Sequence, residues 1–103
     1  MTWFVYIILC SDDSLYTGIT NDVQRRFEQH ANRRGAKYFN GRQPRRLVYL
    51  EPGHNRSSAS RRELHLKKLS RQQKALLIES ESNRIDDFLN VSTCLQIMEG
   101  HAE

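Results

Sequence analysis

The chain has 103 residues and a formal net charge of +4, with 38% hydrophobic and 27% charged residues. This length and composition correspond to one small globular domain. The longest apolar run is eight residues, Trp3 to Cys10, whereas a membrane-spanning helix takes about 20. The two cysteines form no CxxC pair. That excludes a zinc ribbon and a disulfide-stapled scaffold, and it predicts a reducing, cytoplasmic setting.

The basic residues are concentrated in the middle of the chain. Residues 25–74 contain 15 of the 16 lysines and arginines and only three acids, which gives this stretch a net charge of +12. The flanking residues 1–24 and 75–103 are both net acidic. Segregated positive charge is typical of proteins that bind nucleic acid, because each phosphate contact releases counterions. A merely solvated surface also fits the charge alone; we favour a nucleic-acid partner and no membrane partner.

Hydrophobic periodicity and turn residues predict three strands and four helices. The first strand is apolar on both faces and is therefore expected to lie in the middle of a sheet. A basic loop is expected over 34–45, and Pro52-Gly53 is expected to end the third strand. The predicted elements are strands over 3–9 and 15–19, a helix over 22–33, a strand over 46–51, and helices over 58–69, 70–78 and 83–90.

The three strands and the first three helices follow in the order ββαβαα, which predicts an α+β fold, a small and mainly antiparallel three-stranded sheet flanked by helices. Residues 2–79 form the predicted domain. Residues 80–103 are predicted to be a C-terminal extension with a short helix and then a tail. Among oligomeric states, a monomer is the favoured expectation.

Two tyrosines of the first hairpin are candidate site residues. If the turn pairs even-numbered residues, Ile8 faces Tyr16 and Tyr6 faces Gly18, so both tyrosines lie on one face of the sheet. Gly18 is then expected to leave open space beside Tyr6, where a phosphate backbone can approach. Tyrosine is also an ordinary strand former, so two structural tyrosines fit the same pattern.

Two residues of the first predicted helix are further candidates. Arg26 and His30 are i, i+4 neighbours beside the apolar stripe, so they are expected at the edge of the core. Arginine suits bidentate phosphate contact. A surface arginine and a half-buried structural histidine are the alternatives.

Glu63 is the one acid among seven bases between residues 56 and 74. A single carboxylate in a phosphate-binding surface can hold Mg²⁺ together with waters and substrate phosphates. Two other interpretations stay open: a capping box with Ser60, and an i, i+4 ion pair with Lys67.

The sequence resembles the GIY-YIG nuclease superfamily. Val5-Tyr6-Ile7 and Tyr16-Thr17-Gly18 resemble its paired tripeptides. Arg26, His30 and Glu63 follow in the order and on the elements where the family has its arginine, a His or Tyr, and its metal-binding glutamate. Compact size and the segment over 63–69 resemble the short stand-alone bacterial, YhbQ-like branch. The resemblance covers about residues 2–79.

The resemblance implies an endonuclease that hydrolyses phosphodiester bonds, with DNA the favoured substrate, single-stranded or structured DNA included. It implies one Mg²⁺ or Mn²⁺ ion, held by Glu63 and bound mainly when substrate is present. Arg26 would offset the charge that develops on the phosphoryl oxygens. Tyr6 would act as general base or orient the attacking water, and Tyr16 and His30 would position phosphate or assist proton transfer.

Two positions of the sequence differ from the family pattern or match it uncertainly in alignment. Ile19 stands where some members carry a lysine, and Asn83 is the one candidate for a late site asparagine. A weakly catalytic or non-catalytic nucleic-acid-binding module of the same fold is the alternative function, followed by RNA processing or a role as an interaction subunit. The residues expected to bind substrate are Gly18, Lys37, Arg42, Arg45 and Lys67.

Overall fold

The structure is a computed structural model that describes residues 2–32, 39 and 41–89. Its three strands form one antiparallel sheet in the order β2-β1-β3. The α+β fold and the central position of the first strand are thereby confirmed. The elements are β1 (Trp3–Cys10), β2 (Leu15–Thr20), α1 (Val23–Ala31), β3 (Pro44–His54), α2 (Arg56–Lys67), α3 (Arg71–Ile78) and α4 (Ile85–Leu89).

Each face of the sheet carries its own apolar core. Even-numbered residues of β1, such as Tyr6 and Ile8, pack with Val23 and Phe27 of α1. Odd-numbered residues, such as Val5 and Ile7, pack instead with α2. Side chains alternate along a strand, so a central strand covered on both faces must be apolar at both parities. Within the described ranges, no helix has the length and apolar content needed to cross a membrane.

The hairpin register is the predicted one. Ile8 faces Tyr16 and Tyr6 faces Gly18. The Cys10 N–H donates to the Ser14 carbonyl at 2.9 Å and closes the turn. The even-to-even pairing therefore places both tyrosines on the face that packs against α1.

The third strand does not end at Pro52-Gly53, and that prediction is wrong. Between the pairs Trp3–His54 and Val5–Glu51, β1 advances by two residues and β3 by three. The extra residue is a β-bulge, where proline is tolerated and glycine supplies a positive φ. Gly53 has a φ of +86°, so the strand bends there and continues to His54.

The helix starts differ in part from the sequence prediction. Asp22 caps α1, with its carboxylate accepting the Arg25 N–H at 3.1 Å, so the helix begins at Val23 rather than at residue 22. Asn55 caps α2 in a capping box with Ser58. The capping box predicted for Ser60 and Glu63 is therefore wrong, because the helix begins one turn earlier. A capping box formed by Ser70 and Gln73 opens α3.

A polar cluster beneath α2 fixes that helix to β3. The Glu51 carboxylate accepts hydrogen bonds from the Tyr49 hydroxyl and from Arg62 Nε, and lies 2.6 Å from His54 Nε2. His54 Nδ1 in turn lies 2.9 Å from the Ser58 hydroxyl. Because Arg62 precedes Glu63 in α2, this cluster fixes where Glu63 lies.

Asn83 is a structural clip, and its interpretation as a site asparagine is wrong. Its side-chain amide donates to the carbonyls of Val48 and Ile78, both at 2.8 Å. Its carbonyl oxygen accepts the N–H groups of Leu50 and Ile85. All four partners are backbone groups, so the side chain ties the segment after α3 to the edge strand β3.

We expect Asn83→Ala to lower the free energy of unfolding by about 2 kcal/mol or more, because each buried group left unpaired costs about 1–3 kcal/mol. Urea unfolding measures the loss, and Ser82→Ala, at an exposed neighbouring position, is the control. If the two variants have the same free energy of unfolding, the Asn83 side chain does not stabilise the fold as described.

Candidate active site

Gly18 is the point where the Tyr6 ring crosses β2. A Cβ at this position would lie 2.5 Å from Tyr6 Oη, 2.7 Å from Tyr6 Cζ and 3.1 Å from Tyr16 Cε2. The predicted open space beside Tyr6 is therefore wrong, because the phenol itself fills it. Gly18 gives room to the Tyr6 ring, which reaches across the edge strand toward α1. The open space was the reason for assigning Gly18 as a direct substrate contact, so that assignment loses its support.

We expect Gly18→Ala to cost about 1–3 kcal/mol of stability, the usual cost of overpacking. Tyr6 is 2% exposed and has no free space to move into. In a Tyr6→Phe background the closest contact is absent, so the cost of Gly18→Ala should shrink. Urea unfolding of the four proteins measures this coupling, and additive losses would contradict it.

His30 and Tyr6 form a buried hydrogen-bonded pair. His30, on α1, is 1% exposed, and its Nε2 lies 2.9 Å from Tyr6 Oη. Tyr16 packs edge-on against the His30 ring, with ring centroids 5.3 Å apart. Phe39, which lies between α1 and β3 in the sequence, packs against the imidazole with ring centroids 4.2 Å apart. Sequence reasoning missed Phe39, whose aromatic side chain in an otherwise basic loop was the available signal.

Burial, and secondarily the charge of Arg26, lower the pKa of His30 to about 4. The imidazole is therefore neutral at pH 7. It can accept a proton from the Tyr6 hydroxyl when its own proton is on Nδ1.

The depressed pKa of His30 predicts how stability depends on pH. The pKa of His30 is 6.5 in the unfolded chain and about 4 in the folded protein. At pH values between these two, the unfolded chain binds more protons than the folded one, so stability is lost as pH falls. Between pH 7 and pH 5 we expect His30 to account for about 2 kcal/mol of lost stability. Urea unfolding should show a shallower pH dependence for His30→Gln than for wild type or for His65→Gln at an exposed position. Identical slopes would contradict a buried neutral imidazole.

Arg26 interacts with a glutamine of its own helix and with the two tyrosines. Its Nη1 donates to Gln29 Oε1 at 3.0 Å, and its guanidinium is a hydrogen-bonding and electrostatic neighbour of both phenols. The predicted grouping of Tyr6, Tyr16 and Arg26 is thus present. Gln29 was not predicted, although its i+3 spacing from Arg26 was a usable signal.

Both phenols are protonated at neutral pH. Burial is the main cause of the raised pKa of Tyr6, and hydrogen bonding and charge from Arg26 act in the opposite direction. Burial also raises the pKa of Tyr16, while the charges of Lys67 and Arg26 lower it. Neither tyrosine is therefore a phenolate before substrate arrives, and a base role for Tyr6 requires a partner that accepts its proton.

The Glu63 carboxylate influences both tyrosines electrostatically. It lies on α2, and its negative charge contributes to the raised pKa of both phenols. The predicted ion pair is present, with Glu63 Oε2 3.2 Å from Lys67 Nζ. The Glu63 side chain is 20% exposed, so solvent and ligand can reach it.

A metal ion at this site would have one protein carboxylate. Within residues 2–32, 39 and 41–89, no group of three or more His, Cys, Asp or Glu side chains is arranged to hold a metal. A single accessible carboxylate fits Mg²⁺, which commonly keeps several waters and binds through one or two carboxylates and substrate phosphates. The donor set therefore fits an ion that is completed by substrate.

The structure separates the other predicted substrate contacts. Lys67 lies close enough to Tyr16 to lower the pKa of the phenol. Arg42 and Arg45 lie instead against the β1–β2 turn, where Arg42 Nε is 2.7 Å from Asp12 and Arg45 Nη1 is 3.8 Å from Asp13. Lys37 lies outside the described residues.

Comparisons with known proteins show which proteins this chain is similar to. The family described as "GIY-YIG catalytic domain" matches residues 2–75. A UPF0213 protein of Clostridium perfringens is 47% identical over 85 residues, which are 82% of this chain and 91% of that protein. The UPF0213 protein YhbQ of Escherichia coli K12 is 45% identical over 76 residues, 74% of this chain and 76% of that protein.

A solved structure is also similar. The solution structure of the UPF0213 protein BH0048 from Bacillus halodurans superposes with a TM-score of 0.52 and 40% sequence identity. The match covers 89% of this chain and 98% of that one. The chain belongs to the GIY-YIG nuclease family and to its UPF0213, YhbQ-like group.

Proposed function

We propose that this protein is a divalent-metal-dependent endonuclease that hydrolyses phosphodiester bonds in DNA. The observation that carries the proposal is the arrangement at the β2 edge of the sheet. There, the Arg26 guanidinium adjoins both phenols, Tyr6 is hydrogen-bonded to a neutral His30, and the Glu63 carboxylate acts on the same phenols.

Glu63 is the residue that would hold Mg²⁺ or Mn²⁺. When bound, such an ion polarises the scissile phosphate and stabilises the leaving oxygen. Lys67, 3.2 Å from Glu63 Oε2, holds the carboxylate in position until substrate and ion arrive. Its ammonium group is then available for a phosphate oxygen.

Arg26 would bind the scissile phosphate. Its guanidinium provides donors in a planar fork that matches two phosphoryl oxygens. The hydrogen bond to Gln29 Oε1 holds that fork in place before substrate binds. Donors fixed in advance stabilise the charge that develops in the transition state without a reorganisation cost.

Tyr6 and His30 would move the proton of the attacking water. Because burial keeps the Tyr6 phenol protonated, Tyr6 can take a proton from water only as its own passes to His30 Nε2, 2.9 Å away. The charge of Arg26 contributes to the low pKa of His30. A bound phosphate would offset that charge and make the imidazole a better proton acceptor.

One observation favours the second candidate function, a weakly catalytic nucleic-acid-binding module. Tyr6 is 2% exposed, so water reaches its hydroxyl only if neighbouring side chains move. Such a requirement would slow turnover without affecting the basic surface that binds nucleic acid.

Cleavage and binding assays on a substrate panel separate the two candidates. Single-stranded, nicked, branched and duplex DNA, and single-stranded RNA of the same sequence, are each incubated with Mg²⁺, Mn²⁺ or EDTA. The proposal expects cut DNA with metal only. Binding to the panel without cleavage under any of these conditions would favour the binding module, and preferential cleavage of RNA would overturn the choice of DNA.

A further inference from the structure

A cavity of about 270 Å³ adjoins the candidate site and has no role in the mechanism above. It lies where β1 begins, β2 ends and α1 starts. Arg26 belongs to both the cavity wall and the candidate site, so a ligand in the cavity would be next to the phosphate that Arg26 binds. The wall residues that matter here are Trp3, Ile19, Asp22, Arg25, Arg26 and Gln29.

Two apolar side chains belong to the cavity wall. They are those of Trp3 and Ile19, and both are half-buried at the edge of the α2-side core. The Arg56 guanidinium lies over the indole, with Cζ 5.7 Å from the ring centroid. Trp3 lines the cavity, whereas Arg56 does not.

The cavity wall also carries both donors and acceptors. Gln29 Oε1 already accepts a hydrogen bond from Arg26, which holds the side-chain amide in place, and the amide also carries two N–H donors. Asp22 Oδ1 accepts the Arg25 N–H, which fixes the carboxylate as an acceptor at the cavity. Arg25 adds an exposed positive charge. An aromatic residue in the same wall as donors and acceptors is the combination that recognises a nucleobase by stacking and by its edge.

We propose that this cavity binds an unpaired nucleobase of the nucleotide next to the phosphate held by Arg26. This inference rests on the proposed nucleic-acid substrate. It specifies that the substrate is single-stranded at the site, or has a base that has left the double helix. A base inside a duplex presents neither its face nor its Watson–Crick edge to a protein. Trp3 would stack on the base, and Gln29 and Asp22 would contact its edge.

The fluorescence of Trp3, the single tryptophan of the chain, tests the proposal in the wild-type protein. Without metal, the protein is titrated with a short single-stranded oligonucleotide, with an abasic oligonucleotide of the same length and charge, and with a blunt duplex. We expect the base-containing single strand to quench Trp3 and to bind more tightly than the abasic strand. The duplex and the abasic strand are expected to leave the fluorescence nearly unchanged.

Variants at Trp3 test the same point with a labelled strand. Trp3→Leu is expected to weaken binding of the base-containing strand by about 5- to 150-fold, the usual effect of losing one stacking contact. It should leave binding of the abasic strand unchanged, and Trp3→Phe should recover most of the loss. Thermal melting checks that each variant is folded, and the wild-type titration needs no variant.

The outcomes distinguish this inference from the function it rests on. Equal binding of base-containing and abasic strands, without quenching, would overturn the nucleobase pocket and leave the nuclease proposal intact. Failure of all three nucleic acids to bind would overturn both. Base-dependent quenching without any cleavage in metal would support the pocket and contradict the nuclease.

Discussion

Replacing Glu63 by glutamine is expected to reduce metal-dependent cleavage by about 10³-fold while the protein stays folded. A metal ion's stabilisation of the transition state is worth several kcal/mol, and each 1.36 kcal/mol corresponds to a factor of ten in rate. Glutamine keeps the size of the side chain but removes the only charge assigned to the ion. Cleavage is measured with Mg²⁺ and Mn²⁺ under single-turnover conditions.

The same variant should change stability and binding little. Loss of the ion pair with Lys67 is expected to cost about 0.3 kcal/mol. Binding of nucleic acid without metal should hold or tighten, because a negative charge leaves a positive surface. Glu81→Gln, the same substitution at an exposed position after α3, is the matched control and should cut at the wild-type rate. If Glu63→Gln also cuts at that rate, the carboxylate does not hold the ion.

Arg26→Ala is expected to reduce the cleavage rate by about 10²–10³-fold, the usual cost of losing a fixed donor to the developing charge. Arg26→Lys keeps the charge but loses the planar fork, so it should restore only part of the rate. Arg84→Ala, at the β3 side of the fold where Arg84 pairs with Asp87, is the control and should be close to wild type.

Arg26 also has an effect that can be measured without substrate. Since its charge contributes to the low pKa of His30, Arg26→Ala should raise the pKa of the imidazole toward 6.5. An NMR titration of the His30 ring measures the shift. An unchanged pKa, together with an unchanged cleavage rate, would show that Arg26 lies outside the reacting centre.

The sheet could be predicted from the sequence because its signals are local. The apolar residues of β1 at both parities required a strand covered on both faces, and a short turn fixed the register that places Tyr6 opposite Gly18. The end of β3 could not be predicted in the same way. A proline and a glycine usually end a strand, and the bulge that accommodates them depends on pairing with Trp3, about 50 residues away in sequence.

The sequence predicted which residues form the candidate site, but not how their side chains pack. Spacing and resemblance identified Tyr6, Tyr16, Arg26, His30 and Glu63, and the structure gives these side chains shared contacts or electrostatic influence. Spacing could not show that Tyr6 fills the space over Gly18, since this depends on a side-chain conformation. Nor could it show that Arg42 pairs with Asp12 across the fold.

Single-turnover cleavage with excess protein tests the central proposal most directly. An end-labelled single-stranded DNA is incubated with wild-type protein and Mn²⁺, with and without EDTA, beside a purified Arg26→Ala, Glu63→Gln double variant. We predict cut strands with wild type and Mn²⁺ only, and intact DNA with EDTA or the double variant. DNA that stays intact with saturating wild-type protein and Mn²⁺, or that the double variant cuts equally fast, would contradict a metal-dependent nuclease site at the β2 edge.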